Sequence, residues 1–143
     1  MGFKAADYSV SVITNRQNNR LFGMTCAWMM QVDYDKIVCL LGSQSVTGSS
    51  IRIGDTVGVS VLNENQKEIA LHFGDHHSDE VDKFKNMPLE DNGAILIAGA
   101  ARQMVCEVMD ILHLKEIEED SLIYLKIRSA KENTDAFLHY GDF

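Results

Sequence analysis

The segment Leu41-Gly42-Ser43-Gln44-Ser45-Val46-Thr47-Gly48-Ser49-Ser50 gathers hydroxyl side chains at the exit of an apolar run. Ser43, Ser45, Thr47, Ser49 and Ser50 offer O–H donors, and a helix starting near Ser45 would add backbone N–H groups. A helix start of this kind holds an anion without net positive charge, because its orphan amides and its dipole face the ligand. Gly42 and Gly48 let the backbone approach a bound group closely. The chemistry this suits is the holding of one phosphate. The same residue types also build plain surface loops.

Other chemistry-bearing groups lead less far. The run His72-Phe73-Gly74-Asp75-His76-His77-Ser78-Asp79-Glu80 has metal-ligand residue types. It sits in a polar stretch between two short helices, and no second cluster supplies the remaining ligands, so no metal is expected. Cys26, Cys39 and Cys106 are odd in number, far apart and set in apolar or alternating runs, which points to buried free thiols. The acidic run Glu116–Asp120 reads as an exposed turn. No Ser-His-Asp set with a nucleophile elbow and no G-x-x-x-x-G-K-[ST] loop is present.

The elements that would position the loop are mostly strands. Tyr8–Thr14 alternates at period two, as a half-buried strand does. Asn15–Arg20 is turn-rich, and Leu21–Trp28 is extended again. Lys36–Leu41 is continuously apolar, the pattern of a central strand covered on both faces. Thr56–Leu62 alternates. Asn63 and Gln66 form a capping-box-like start for a short helix through Ile69 and Phe73, ended by Gly74. Ser78 can cap a second short helix through Asp82, Lys83 and Phe84, stopped before Pro88. Strands follow at Ala94–Ala100, Gln103–Leu112, Ser121–Ser129 and Ala136–Tyr140. About seven strands with two or three short helices suggest a closed or partly closed antiparallel barrel, with a two-sheet sandwich as the alternative.

The chain has 143 residues, enough for one domain with its own core, here 1–143. Its net charge is −8, from 13 basic and 21 acidic side chains, which argues against nucleic acid or an anionic membrane as partner. No apolar run approaches the ~20 residues of a membrane helix, and the opening MGFKAADYSV lacks the pattern of a secretory signal. A cytoplasmic location is expected.

The order of the motifs adds to this reading. YSVSVIT leads to Gly23-Met24-Thr25-Cys26-Ala27-Trp28, then come an apolar strand, Ser45-x-Thr47, VGVSVLNENQ, His72-Phe73-Gly74 and Asp82-Lys83-Phe84. Cys106-Glu107-Val108 and Leu138-His139-Tyr140-Gly141 continue the series. This resembles the flavin reductase-like family over nearly the whole chain. The resemblance implies a mostly β, FMN-binding split β-barrel, with FAD as the less common cofactor. It implies that Thr25, Cys26, Ala27 and Trp28 line the isoalloxazine, largely through backbone groups. Ser43, Gln44, Ser45 and Thr47 would hold the ribityl phosphate. Phe73, Lys83 and Phe84 would flank the site, Lys83 as a cation near the phosphate. Core packing is the other reading of Phe73, Phe84 and Trp28, and a solvated helix face that of Lys83.

The implied activity is hydride transfer from NADH or NADPH to the flavin and on to a second acceptor, in a homodimer with the flavin near the subunit interface. Three positions depart from the family pattern. Asp35-Lys36 replaces paired prolines, Ser60 replaces an asparagine, and Asp120-Ser121 stands where Asp-His is often found. Serine supplies neither the charge nor the ring of imidazole. That favours, as a second reading, an FMN electron carrier served by a rubredoxin-like or ferredoxin-like partner. A third is a split-barrel interaction module without redox activity.

Overall fold

The computed structural model describes residues 3–42, 46–75 and 82–143, with the backbone alone at Val46 and Asp75. The first two strands, β1 (Ser11–Gln17) and β2 (Arg20–Cys26), form a hairpin closed by Asn18 and Asn19. Both asparagines have positive φ, 51° and 66°. That is the two-residue turn whose twist matches the flanking strands, and asparagine tolerates it well. The turn is therefore confined to two residues, and β1 runs on to Gln17 through a stretch that composition alone assigns to a loop. The expected alternation across 8–14 is also corrected. Residues 11 to 15 of β1 are all buried, because both faces of this strand are covered.

The other described strands are β3 (Met29–Asp33), β4 (Lys36–Gly42), β5 (Thr56–Val61), β6 (Leu89–Asp91), β7 (Ile95–Ile97), β8 (Arg102–Leu112) and β9 (Asp120–Glu132). The helices are α1 (Val46–Ser50) and α2 (Lys67–Asp75), with a 3-10 turn at Tyr140–Asp142. Seven strands join one antiparallel sheet in the order β2-β1-β5-β8-β9-β4-β3, and β6 pairs with β7 outside it. The Lys36–Leu41 run is penultimate rather than central. Its residues alternate, with Ile37, Cys39 and Leu41 buried and Val38 and Leu40 half-buried. Residues 82–86 form a turn instead of a second helix, with the Phe84 N–H on the Asp82 carboxylate at 3.0 Å. Ser78, its expected cap, lies outside the described residues. Residues 136–140 pair only through the isolated bridges Asn63–Phe137 and Ser9–His139.

The sheet has to curl. β2 is one edge and β3 the other, yet only Ala27 and Trp28 separate them in the chain. Laid flat, six interstrand steps would hold the edges about 29 Å apart. The three residue steps from Cys26 to Met29 reach at most about 11 Å. Residues 20–33 therefore act as one long strand shared by both edges, and the sheet closes into a barrel. The interior holds Ile13, Val57, Val59, Cys106, Ile123 and Leu125 among others. A second cluster fills the outside of β1 and β5, where Val10, Val12 and Leu62 meet Phe73, Phe84 and Leu138.

α2 is started as the sequence suggests. The Gln66 side chain accepts the Asn63 N–H at 3.0 Å, and Asn63 Oδ1 accepts the Asn65 N–H at 2.8 Å. The helix lies on β2 at Gly23. A Cβ there would sit 2.9 Å from Phe73 Cε1 and 2.9 Å from Phe84 Cζ, closer than carbon atoms pack. Gly23→Ala should therefore lower stability by about 1–3 kcal/mol, read as a lower urea midpoint. An unchanged midpoint would mean that the two rings do not rest on this strand.

Candidate functional site

The barrel closes covalently at Ala27–Trp28, but these two residues belong to neither ladder. The β1–β2 pairing stops at Cys26 and the β3–β4 pairing starts at Met29. Their N–H groups are thus not taken up by sheet pairing, while the Trp28 carbonyl accepts the Leu40 N–H at 3.0 Å. A cleft of about 370 Å³ opens at this seam. Its floor is Thr25 to Trp28 with Leu40, one wall is Ala70, Leu71 and Gly74 of α2, and the other is Tyr140 and Phe143 beyond Val10. None of the described lining residues is charged. Small-molecule sites share this size and this mostly apolar lining with a few polar groups.

Each wall is fixed by identifiable bonds. Thr25 Oγ1 donates to the Ala70 carbonyl at 2.6 Å and ties β2 to α2. Cys26 is buried, with Sγ 3.6 Å from the carbonyl oxygens of both Trp28 and Leu40. A hydrogen bond from the Cys39 thiol draws the Cys26 pKa down against the opposing effect of burial. The same bond and burial push Cys39 up, and burial alone raises Cys106 to about 12. Buried thiols of this kind pack as small apolar side chains. Trp28 is 54% exposed, so it forms the rim of the cleft instead of the core.

Four of the expected site residues therefore meet here: Thr25, Cys26, Ala27 and Trp28. Phe73 and Phe84 lie behind the cleft wall, buried and packed edge to face with centroids 5.2 Å apart. Lys83 is 4% exposed, which corrects the reading of a solvated face. Its Nζ donates to the carbonyls of Gly23 at 2.8 Å and Phe73 at 2.9 Å. An ammonium group with several oxygen acceptors tolerates burial that an unpaired one would not. It locks the 82–86 turn to β2 and to the end of α2.

Ser43, Gln44 and Ser45 lie outside the described residues. Thr47 is buried in α1, one turn before Ser50. Ser50 Oγ donates to the Thr47 carbonyl at 2.7 Å, and Asn15 of β1 donates to Ser50 O and Oγ. A helix does begin beside the expected loop, and its far end is anchored to the barrel. Ser121 is buried in β9 opposite Leu41, next to the pair Asp120 and Gly42. Ser60 Oγ accepts the Ile97 N–H at 2.9 Å and so serves packing of the β7 segment. His72 Nε2 is 2.8 Å from the Lys83 carbonyl, while His76, His77 and Asp79 fall outside the described residues.

Tyr140, Phe143, Leu71 and Gly74 are lining residues that sequence reasoning missed. The signal for Leu71 and Gly74 was present, because they share a helical face with Lys67 and Ala70 at spacings of three and four. Nothing local in the sequence marks Tyr140 or Phe143. They reach the cleft because the bridge between Ser9 and His139 carries the chain back past β1.

The cleft at the barrel's seam is thus uncharged in its described lining and bordered by Trp28, Tyr140 and Phe143. The model of the flavin reductase like domain matches residues 3–142, and the chain belongs to that family. The NADH:FAD oxidoreductase of Streptomyces globisporus shares the fold with a TM-score of 0.80, at 24% identity over 94% of this chain and 80% of that one. A flavin reductase domain protein from Arthrobacter sp. gives 0.79 at 15% identity, over 94% and 83% of the two chains. Flavoredoxin from Methanosarcina acetivorans gives 0.77 at 13%, over 92% and 74%. No curated protein matches the chain in sequence.

Lys83→Met keeps an unbranched side chain one atom shorter and removes the ammonium donor to the Gly23 and Phe73 carbonyls. A loss of about 1–3 kcal/mol is expected in chemical denaturation, since these bonds are made by a charged donor. Full stability in that variant would contradict a structural role for the ammonium group.

Proposed function

We propose that this chain is a flavin-binding oxidoreductase that takes FMN, with its ring in the seam cleft and its phosphate at the 42–50 loop. The observation that carries the proposal is the meeting of Thr25–Trp28, the last two of which lie outside both ladders, with an uncharged cleft large enough for a ring system. Backbone amides at Ala27 and Trp28 suit the polar edge of a flavin ring, and Trp28 and Leu71 suit its faces. Thr47 and the start of α1, with Ser43, Gln44 and Ser45, are the proposed phosphate holders. When bound, the flavin supplies hydride and electron chemistry, and the protein supplies binding, orientation and access. That division of labour accounts for an uncharged cleft with no acid–base pair in its described lining.

The proposed donor is NADH or NADPH, with FAD as the alternative flavin. The structural neighbour from Streptomyces globisporus is named for NADH and FAD, and a second structure of it holds NAD and FAD fragments, at 24% identity. Ser121 favours a second reading. It is buried opposite Leu41 and offers no imidazole, so an electron carrier served by a protein donor fits that position better. Added FMN should bind to the purified protein with a perturbed visible spectrum, and anaerobic NADH or NADPH should bleach it. Absence of FMN binding would overturn the flavin reading. Binding without bleaching by either nucleotide would leave the carrier reading in place of the reductase.

A homodimer belongs to the same proposal. Met30 and Val32 of β3, Trp28 just before it and Tyr34 in the turn just after it are exposed by 61, 46, 54 and 97% beside the cleft. Such an apolar stripe along an edge strand and its flanks suits a protein contact. Met30→Glu should shift sedimentation from dimer to monomer. A monomeric wild-type protein, or an unaffected dimer in this variant, would remove the stripe from that role.

A further inference from the structure

α2 borders the cleft with Ala70, Leu71 and Gly74, and Lys67 stands on the same helical face one turn earlier. Lys67 Nζ donates to the Asp142 carbonyl at 2.9 Å and lies 5.2 Å from the centre of the Phe143 ring. The two aromatic residues of the far wall are held differently. Tyr140 is fixed through its backbone, with its N–H on the Tyr8 carbonyl at 2.7 Å, and Lys4 lies over its ring at 4.5 Å. The next residue is fixed too, since the Gly141 N–H meets Asp7 at 3.2 Å. Among the described residues, the Phe143 backbone makes a long 3.3 Å bond back to Tyr140 and no other. Its placement depends on Lys67, which grips the preceding carbonyl and the ring face together.

We propose that Lys67 is a positioning residue of the cleft: it holds Phe143 as the aromatic wall against which a planar ring stacks. The inference rests on the flavin reading and names a determinant of that ring's affinity. A cation over an aromatic ring is held by its charge, which arginine keeps and methionine lacks. Because the wall meets the ring system alone, its loss affects a flavin with or without a phosphate equally.

The test is equilibrium dialysis of riboflavin and of FMN against the full chain and its variants, with thermal midpoints measured alongside. Lys67→Met should weaken both ligands by the same factor, about two- to fivefold, the yield of one exposed cation–π contact. Lys67→Arg should retain wild-type affinity. Phe143→Ala should weaken both ligands, and adding Lys67→Met to it should cause no further loss. Unchanged affinity in Lys67→Met, a loss confined to FMN, or an additive loss in the double variant would overturn the inference while leaving the flavin reading intact. A wild-type protein that binds neither ligand would overturn the flavin reading, and this inference with it. Lys67 is exposed, so the variants should keep the wild-type thermal midpoint. A drop matching the affinity loss, without rescue by arginine, would assign Lys67 a merely structural role and overturn the proposal.

Discussion

Residues 20–33 pair with β1 at their start and with β4 at their end, and a sheet that shares one strand between its two edges can only curl. Barrel closure, the covered interior and the position of the cleft all follow from this. At the crossing point the strand leaves one ladder before it joins the other, so Ala27 and Trp28 lie outside both ladders, with the Trp28 carbonyl on the Leu40 N–H of β4. Barrels lack free edges in general. This one keeps a gap where its shared strand changes sides, and α2 with the Tyr140–Asp142 turn flanks that gap.

The outer layer exists because β1 and β5 cannot face water. Val12, Thr14, Gly58 and Ser60 point toward a cover built from α2 and the 84–101 segment. Thr14 Oγ1 donates to the Ile95 carbonyl at 2.5 Å, and a Cβ at Gly58 would lie 2.2 Å from that same oxygen. Close backbone packing on one side of the barrel leaves the β3–β4 side barer. The exposed Met30, Val32 and Tyr34 lie there. One sequence thus makes a barrel with a finished face and an unfinished one, and the cleft sits at the border between them.

Much of this was legible from residue patterns. The mostly β architecture, the start of α2 at Asn63–Gln66 and the grouping of Thr25 to Trp28 follow from period-two alternation, capping chemistry and motif order. β3 and β6 were not foreseen, and the expected strand at 136–140 is only isolated bridges. Coverage of individual strands was not legible. Lys36–Leu41 is apolar on both faces but penultimate, whereas residues 11 to 15 of β1 are all buried despite Ser11, Thr14 and Asn15, Thr14 finding a carbonyl partner in a segment 81 residues away. Short-range periodicity carries no information about what a distant segment will cover. The same limit hid Tyr140 and Phe143, which reach the cleft through a bridge between the two ends of the described chain. It also hid the burial of Lys83, whose two carbonyl partners come from β2 and α2.

The central claim is that a flavin occupies the seam cleft, and the chain carries its own probe of that place. Trp28 is the one tryptophan in the sequence and stands on the cleft's rim. Its emission should fall in step with FMN occupancy during a fluorescence titration and reach a plateau at saturation. FMN binding, established independently by dialysis, with Trp28 emission unchanged would place the flavin elsewhere and contradict the account.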